Sequence, residues 1–227
     1  MEEHHLAATR TARYFTLGGG AGVHHVWFVL HGYGQLASAL LRNFEGLANP
    51  SRLIVAPEGL SRFYVDPIAS GPAARRRVGA SWMTREDRLI EIEDYVQYLD
   101  ALYLRVFESV PRSQARVTVL GFSQGAATAC RWLTRGAARA ERLILWGGEV
   151  PPDLDPGAVR ACLAALQVIA VVGRQDELIT SKIVKRDTAR LEAEGVSVRL
   201  IEFDGGHEID LATLVEIGEE GRGTREG

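Results

Sequence analysis

Lysine is nearly absent from this 227-residue chain. Lys182 and Lys185 are the only two, so arginine supplies every other basic side chain. The formal net charge is -3, and no like-charged run is longer than Arg75-Arg76-Arg77. Nothing in that balance points to nucleic acid or an anionic membrane as the main partner. The three arginines read as a solvated loop. Cysteine is equally scarce, with only Cys130 and Cys162, which form neither metal-ligand spacing nor a disulfide framework. Two buried thiols in a reducing compartment are the expectation. No segment approaches eighteen consecutive apolar residues, and the acidic start Met1-Glu-Glu-His-His is followed by no apolar stretch of the secretory kind. No membrane insertion and a cytoplasmic location are therefore expected. His4-His5 and His24-His25 are not expected to bind metal, one pair lying near an end and the other at a strand entry.

What is present is a large apolar fraction, 46% of residues, arranged in alternating patterns. Strands are predicted at 14–17, 25–30, 53–56, 116–120, 143–146, 168–172 and 196–203. Helices are predicted at 36–47, 84–108, 123–134, 180–194 and 208–217. The run Val26-Trp-Phe-Val-Leu30 is unbroken apolar, the mark of a strand covered on both faces. Residues 58–80 are rich in Gly, Pro and Arg without a clear period, and read as a loop over the strand ends. Alternation of this kind predicts an α/β fold with an open, mostly parallel sheet covered by helices on both faces. One domain over 1–218 is expected, with a polar, Gly-rich and disordered tail over 219–227.

Open sheets of this type bind ligands beyond the carboxyl ends of their strands. Ser123 follows the strand at 116–120, within Gly121-Phe-Ser-Gln-Gly125. Asp176 follows the strand at 168–172, and His207 follows the strand at 196–203. A serine hydroxyl is a weak nucleophile unless a base takes its proton as it attacks. Histidine suits that work near neutral pH, and a carboxylate on its other nitrogen fixes the tautomer. The G-x-S-x-G pattern places a serine on a tight strand-to-helix turn, where the helix amino terminus supplies amides for an oxyanion. Ser123, His207 and Asp176 are accordingly the candidate nucleophile, base and acid. Glu149, Glu177 and Asp204 compete for the acid role. Asp204 is close to His207 in sequence, and Glu149 follows an earlier strand than expected. His31 is read as shaping a loop rather than titrating.

The segments His31-Gly-Tyr-Gly34, Gly121-Phe-Ser-Gln-Gly-Ala126, Gly173-Arg-Gln-Asp176 and Gly206-His207 resemble the phospholipase/carboxylesterase family of α/β-hydrolases, which includes acyl-protein thioesterases. The resemblance runs from about residue 23 to 217. It implies a compact α/β-hydrolase fold with little or no cap, a serine esterase activity, and neither metal nor organic cofactor. It also implies an oxyanion hole from the backbone N–H groups of Tyr33 and Gln124. Two segments depart from the family pattern, Trp82-Met83-Thr84 and Gly147-Gly-Glu-Val-Pro151. With them, Phe63, Tyr64, Trp82, Met83 and Val150 are expected to line the substrate pocket. The expected activity is hydrolysis of short- to medium-chain carboxylic esters, with thioesters or lysophospholipids as further options, by a monomer or homodimer. The partner is a small-molecule ester. A peptidase, a lactonase, or a binding protein with a vestigial elbow are the alternatives.

Overall fold

Seven strands form the central sheet of the computed structural model, which describes residues 1–70, 72 and 75–220. They are β1 (Tyr14–Gly18), β2 (His25–Leu30), β3 (Arg52–Pro57), β6 (Arg116–Phe122), β7 (Arg142–Trp146), β8 (Gln167–Gly173) and β9 (Val198–Phe203). Their spatial order is β1-β3-β2-β6-β7-β8-β9. Only β1 runs antiparallel to its neighbour, with Tyr14 opposite Pro57. All other pairs are parallel, beginning with His25 opposite Arg116 and Thr118 opposite Arg142.

The unbroken apolar run of β2 is explained by what lies on either side of it. Val26, Phe28 and Leu30 join one buried cluster with Ile92, Leu99 and Trp132, which come from α2 (Arg88–Phe107) and α3 (Gln124–Arg135). Trp27 and Val29 join a second cluster with Leu40, Phe44, Leu214 and Ile217. These come from α1 (Ala37–Leu41), the 3₁₀ turn Arg42–Leu47 and α6 (Leu211–Glu219). Successive strand side chains leave on opposite faces, so burying both faces needs this continuous apolar sequence. The predicted helix over 36–47 thus changes pitch at Arg42.

Three details differ from the sequence reading. The stretch 58–80 is not a plain loop: β4 (Ser61–Tyr64) and β5 (Val78–Ser81) pair antiparallel, Ser61 opposite Ser81. Four residues of alternation were too short to stand out, and the partner lies well down the chain. A helix, α4 (Pro156–Leu163), was missed, although its signal was legible. Asp155 caps it by accepting from the Ala158 amide at 2.8 Å, and Pro156 occupies the first turn. The long helix begins at Arg88 rather than Thr84. Asp87 adopts a left-handed conformation with φ 47°, and Thr84 instead donates to the Glu91 carboxylate. The helix α5 (Ser181–Ala193) starts at a Thr180 cap. Of the tail expected over 219–227, Glu219 closes α6, and residues 221–227 lie outside the described residues. Among the described residues, no helix is long and apolar enough to cross a membrane.

Candidate active site

The turn between β6 and α3 is tight because the backbone has almost no room. A Cβ on Gly121 would stand 2.2 Å from the Gly125 carbonyl oxygen, and one on Gly125 would stand 2.2 Å from the Leu30 carbonyl oxygen. Only glycine fits at either position. Between them Ser123 has φ 54° and ψ -118°, one of two non-glycine residues with positive φ among those described. Such a conformation costs on the order of 1–3 kcal/mol and persists only where surrounding structure holds it. Here the Ser123 amide donates to the Trp146 carbonyl at 2.9 Å, pinning the turn to β7.

The three residues selected from sequence meet at this point. His207 Nε2 lies 2.9 Å from Ser123 Oγ, and His207 Nδ1 lies 2.7 Å from Asp176 Oδ2. The other oxygen of Asp176 accepts the amides of Leu178 at 2.9 Å and Ile179 at 2.8 Å. Asp176 is 5% exposed, so these bonds hold a buried carboxylate in one orientation. An acceptor at Nδ1 places the ring proton there and leaves the Nε2 lone pair for the serine O–H. The Phe122 ring packs against the His207 ring with centroids 5.0 Å apart. The competing acids lie elsewhere. The Asp204 side chain is 81% exposed and pairs with Arg174, Glu177 is exposed, and Glu149 reaches toward Arg186.

The loop after β2 is fixed by a buried histidine. His31 is fully buried, its Nδ1 donating to the Gly32 carbonyl at 2.8 Å while its Nε2 accepts from the Gly59 amide at 2.9 Å. Burial lowers its pKa, which keeps the ring neutral and suited to one donor and one acceptor. The Trp82 indole donates to the His31 carbonyl at 2.8 Å and stacks on its ring at 5.0 Å. Beyond it, Gly34 donates to the Ala80 carbonyl and Ala80 donates to the Gln35 carbonyl, so β5 props the same loop. The Gly32 amide is taken by Gln35 Oε1 at 3.0 Å, and a Cβ on Gly32 would stand 3.0 Å from the Ser123 Cβ. The amides of Tyr33 and Gln124 have no hydrogen-bond partner among the described residues.

The Gln124 side chain makes contacts that sequence reasoning missed. Its Oε1 accepts the Trp82 amide at 3.1 Å, and its Nε2 donates to the Met83 carbonyl at 2.7 Å. The side chain therefore ties the elbow to the segment after β5. A donor and an acceptor on one side chain beside Ser123 was the available signal.

A cleft of about 750 Å³ opens beside Ser123 and Gln124, and Met83 and Val150 are among the residues that line it. Ala127, Pro151, Pro152 and Ile179 add apolar wall, and Arg131, Arg186 and Arg190 add charge that the sequence reading did not anticipate. Arg186 and Arg190 are four residues apart on α5, which puts them on one helix face. The other expected pocket residues do not line this cleft. Trp82 is buried behind the loop, Phe63 packs on the Tyr33 ring at 5.1 Å, and Tyr64 is exposed beneath Arg76. His5 lies with Glu3 and Asp87 in an exposed cluster.

Neither a family model nor a curated protein matches the sequence. Solved structures do. The fold is similar to acyl-protein thioesterase 2 of Zea mays, with TM-score 0.68 and 18% identity over 92% of this chain and 96% of that one. Esterase PE8 gives 0.67 and 21% over 92% and 98%, and a carboxylesterase from Mesorhizobium loti gives 0.68 and 20% over 91% and 93%. At this identity the likeness speaks for architecture, and the chain has the α/β-hydrolase fold.

Proposed function

We propose that this protein is a serine hydrolase of carboxylic esters, related to the phospholipase/carboxylesterase family. The observation that carries the reading is the continuous hydrogen-bonded line Ser123–His207–Asp176, set on a strained left-handed serine. Ser123 Oγ attacks the ester carbonyl carbon as His207 Nε2 takes its proton. The amides of Tyr33 and Gln124 receive the developing oxyanion. Collapse breaks the carbon–oxygen bond to the alcohol, which leaves with the proton from His207. Water then attacks the acyl-enzyme with the same histidine as base, releasing the acid and restoring the serine hydroxyl. Every proton is handled by His207 and every charge by backbone amides or Asp176, so this route needs no cofactor. The apolar wall of Met83, Val150 and Ile179 supports short to medium acyl or alcohol groups.

Two measurements on one preparation test this. A fluorophosphonate probe is expected to add its mass to Ser123. Ser123→Ala is expected to abolish that labelling and to lower turnover of p-nitrophenyl butyrate roughly 10⁴–10⁶-fold with the circular dichroism unchanged. An unlabelled serine without ester turnover would favour a ligand-binding protein built on this fold, and activity retained in the variant would overturn Ser123 as the nucleophile.

A further inference from the structure

The cleft beside Ser123 carries an excess of positive charge on a chain whose net charge is -3. Within its walls three guanidiniums, those of Arg131, Arg186 and Arg190, face one carboxylate, Glu149. The excess persists one layer further out. Arg88, Arg131 and Arg135 all converge on a single acid, Asp153, at 2.8, 2.7 and 3.2 Å. Burial alone would raise the pKa of Asp153, yet the bonds from Arg131 and Arg88 hold it down to about 2. Arg186 and Arg190 share Asp187 at 2.8 and 3.6 Å, and that buried acid also accepts the Val150 amide at 2.9 Å. Across the cleft wall and this next layer, five guanidiniums are thus matched by three carboxylates outside the Ser123–His207–Asp176 line.

The two arginines of α5 differ from Arg131 in exposure, although Arg186 is also held through Nε and Nη2 by Asp187 Oδ1. Arg131 is nearly buried and bound through both Nε and Nη2 to Asp153. The side chains of Arg186 and Arg190 remain 58% and 41% exposed. Arg190 is steadied by the carbonyls of Val150 and Pro151, at 3.2 and 3.3 Å. Arg186 touches Glu149 at 3.4 Å, a long and exposed contact that a better-placed anion can displace. Guanidinium is the side chain suited to carboxylate and phosphate, because its planar fork donates two parallel bonds.

We propose that Arg186 and Arg190 form an anion subsite of the hydrolytic cleft, so that the preferred substrate is an ester bearing a carboxylate or phosphate away from its scissile carbonyl. This rests on the serine-esterase reading above. The apolar wall between the serine and the arginines takes the methylene or ring portion, and the guanidiniums take the charged end. Within the departing segment Gly147-Gly-Glu-Val-Pro151, Glu149 contacts Arg186, and the backbone carbonyls of Val150 and Pro151 hold Arg190.

The test uses matched pairs of esters that differ only in a terminal charge. Mono-(p-nitrophenyl) adipate is compared with p-nitrophenyl hexanoate, and 4-carboxyphenyl butyrate with phenyl butyrate, placing the anion on the acyl or the alcohol side. In at least one pair the ratio of kcat/KM, charged over neutral, is expected to exceed one. It should fall about tenfold to hundredfold in Arg186→Gln and in Arg190→Gln, mainly through KM. Arg186→Lys should recover part of the loss, and Glu149→Gln should raise the ratio. Turnover of the neutral esters with no charged preference in either pair, or a ratio unmoved by the arginine variants, overturns the subsite and leaves the esterase reading intact. If no ester is hydrolysed, calorimetry of monomethyl adipate binding to wild type and Arg186→Gln decides separately. Binding weakened by the variant supports the subsite, and equal or absent binding overturns it.

Discussion

A histidine meets a hydroxyl at both ends of this sheet, and only one of the two pairs has the surroundings of a catalyst. At the carboxyl end His207 Nε2 is 2.9 Å from Ser123 Oγ, and at the amino end His25 Nε2 is 3.0 Å from Thr118 Oγ1. Both ends also carry a cavity, about 750 Å³ beside Ser123 and about 550 Å³ beside His25. Neither distance nor hollow volume separates them. The second ring nitrogen of His207 rests on the Asp176 carboxylate, whereas the charges acting on His25 are the guanidiniums of Arg52, Arg116 and Arg142. Burial together with those arginines lowers the pKa of His25 to about 3, so it has little capacity to take a proton. Thr118 lies fully buried in the regular middle of β6, while Ser123 stands at a left-handed turn with two unpaired amides nearby. A base needs a counter-charge, and a nucleophile needs exposure.

The sharpest way to break that comparison is to remove what only one end has. His207→Ala is expected to lower ester turnover by roughly 10⁴–10⁶-fold, as for the serine itself. Asp176→Asn should cost about 10⁴-fold, because a side-chain amide facing Nδ1 favours the wrong tautomer while preserving shape. Steady-state rates on p-nitrophenyl butyrate, with unfolding midpoints as control, check both. Asp176→Asn within tenfold of wild type would mean that the carboxylate is not what distinguishes the two ends.

The two ends were not equally legible in the sequence. The strands along the chain and the residues after each were readable because the apolar runs are unbroken and the turns are marked by glycine, as at Gly121 and Gly125. Ser123, Asp176 and His207 could be gathered from separate strands because a parallel sheet collects its carboxyl ends in one place. The cleft wall was harder. Arg186 and Arg190 carry no signal of their own along the chain and gain one only where the fold sets α5 beside the 147–151 loop, and Trp82 read as pocket lining although it supports His31 from behind. The pairing of β4 with β5 was hidden because four-residue alternation carries little signal. The His25–Thr118 pair was invisible for a simpler reason: it depends on the register between β2 and β6, which places Trp27 opposite Thr118 and His25 one turn of the pleat away.

The amino-end histidine should reveal itself in stability rather than rate. His25 has an ordinary pKa of 6.5 when unfolded and about 3 when folded. The unfolded chain therefore binds a proton as pH falls through 6.5 while the folded protein does not. Stability from neutral His25 is complete above that range and declines as pH drops toward about 3. Between pH 7 and pH 5 this contribution amounts to about 1–2 kcal/mol. In His25→Gln the loss on acidification should be smaller than in wild type by that amount, measured by urea unfolding at both pH values. An equal loss in the two proteins would show that His25 does not resist protonation.

Thr118→Val gives the smallest effect and the most direct contrast. Valine keeps the shape and deletes only the hydroxyl, leaving a part-buried ring nitrogen with one partner fewer, at a cost of about 1 kcal/mol in unfolding free energy. Ester kcat/KM is expected to stay within about twofold, since Thr118 is separated from Ser123 by the remaining length of β6. Removing the hydroxyl at the other end should do the reverse, costing orders of magnitude in rate and little stability, because Ser123 sits in a strained backbone conformation that contributes nothing to the core. A Thr118→Val enzyme slowed tenfold would mean that the two ends of β6 are coupled, and that the amino-end pair holds the nucleophile in place along the strand.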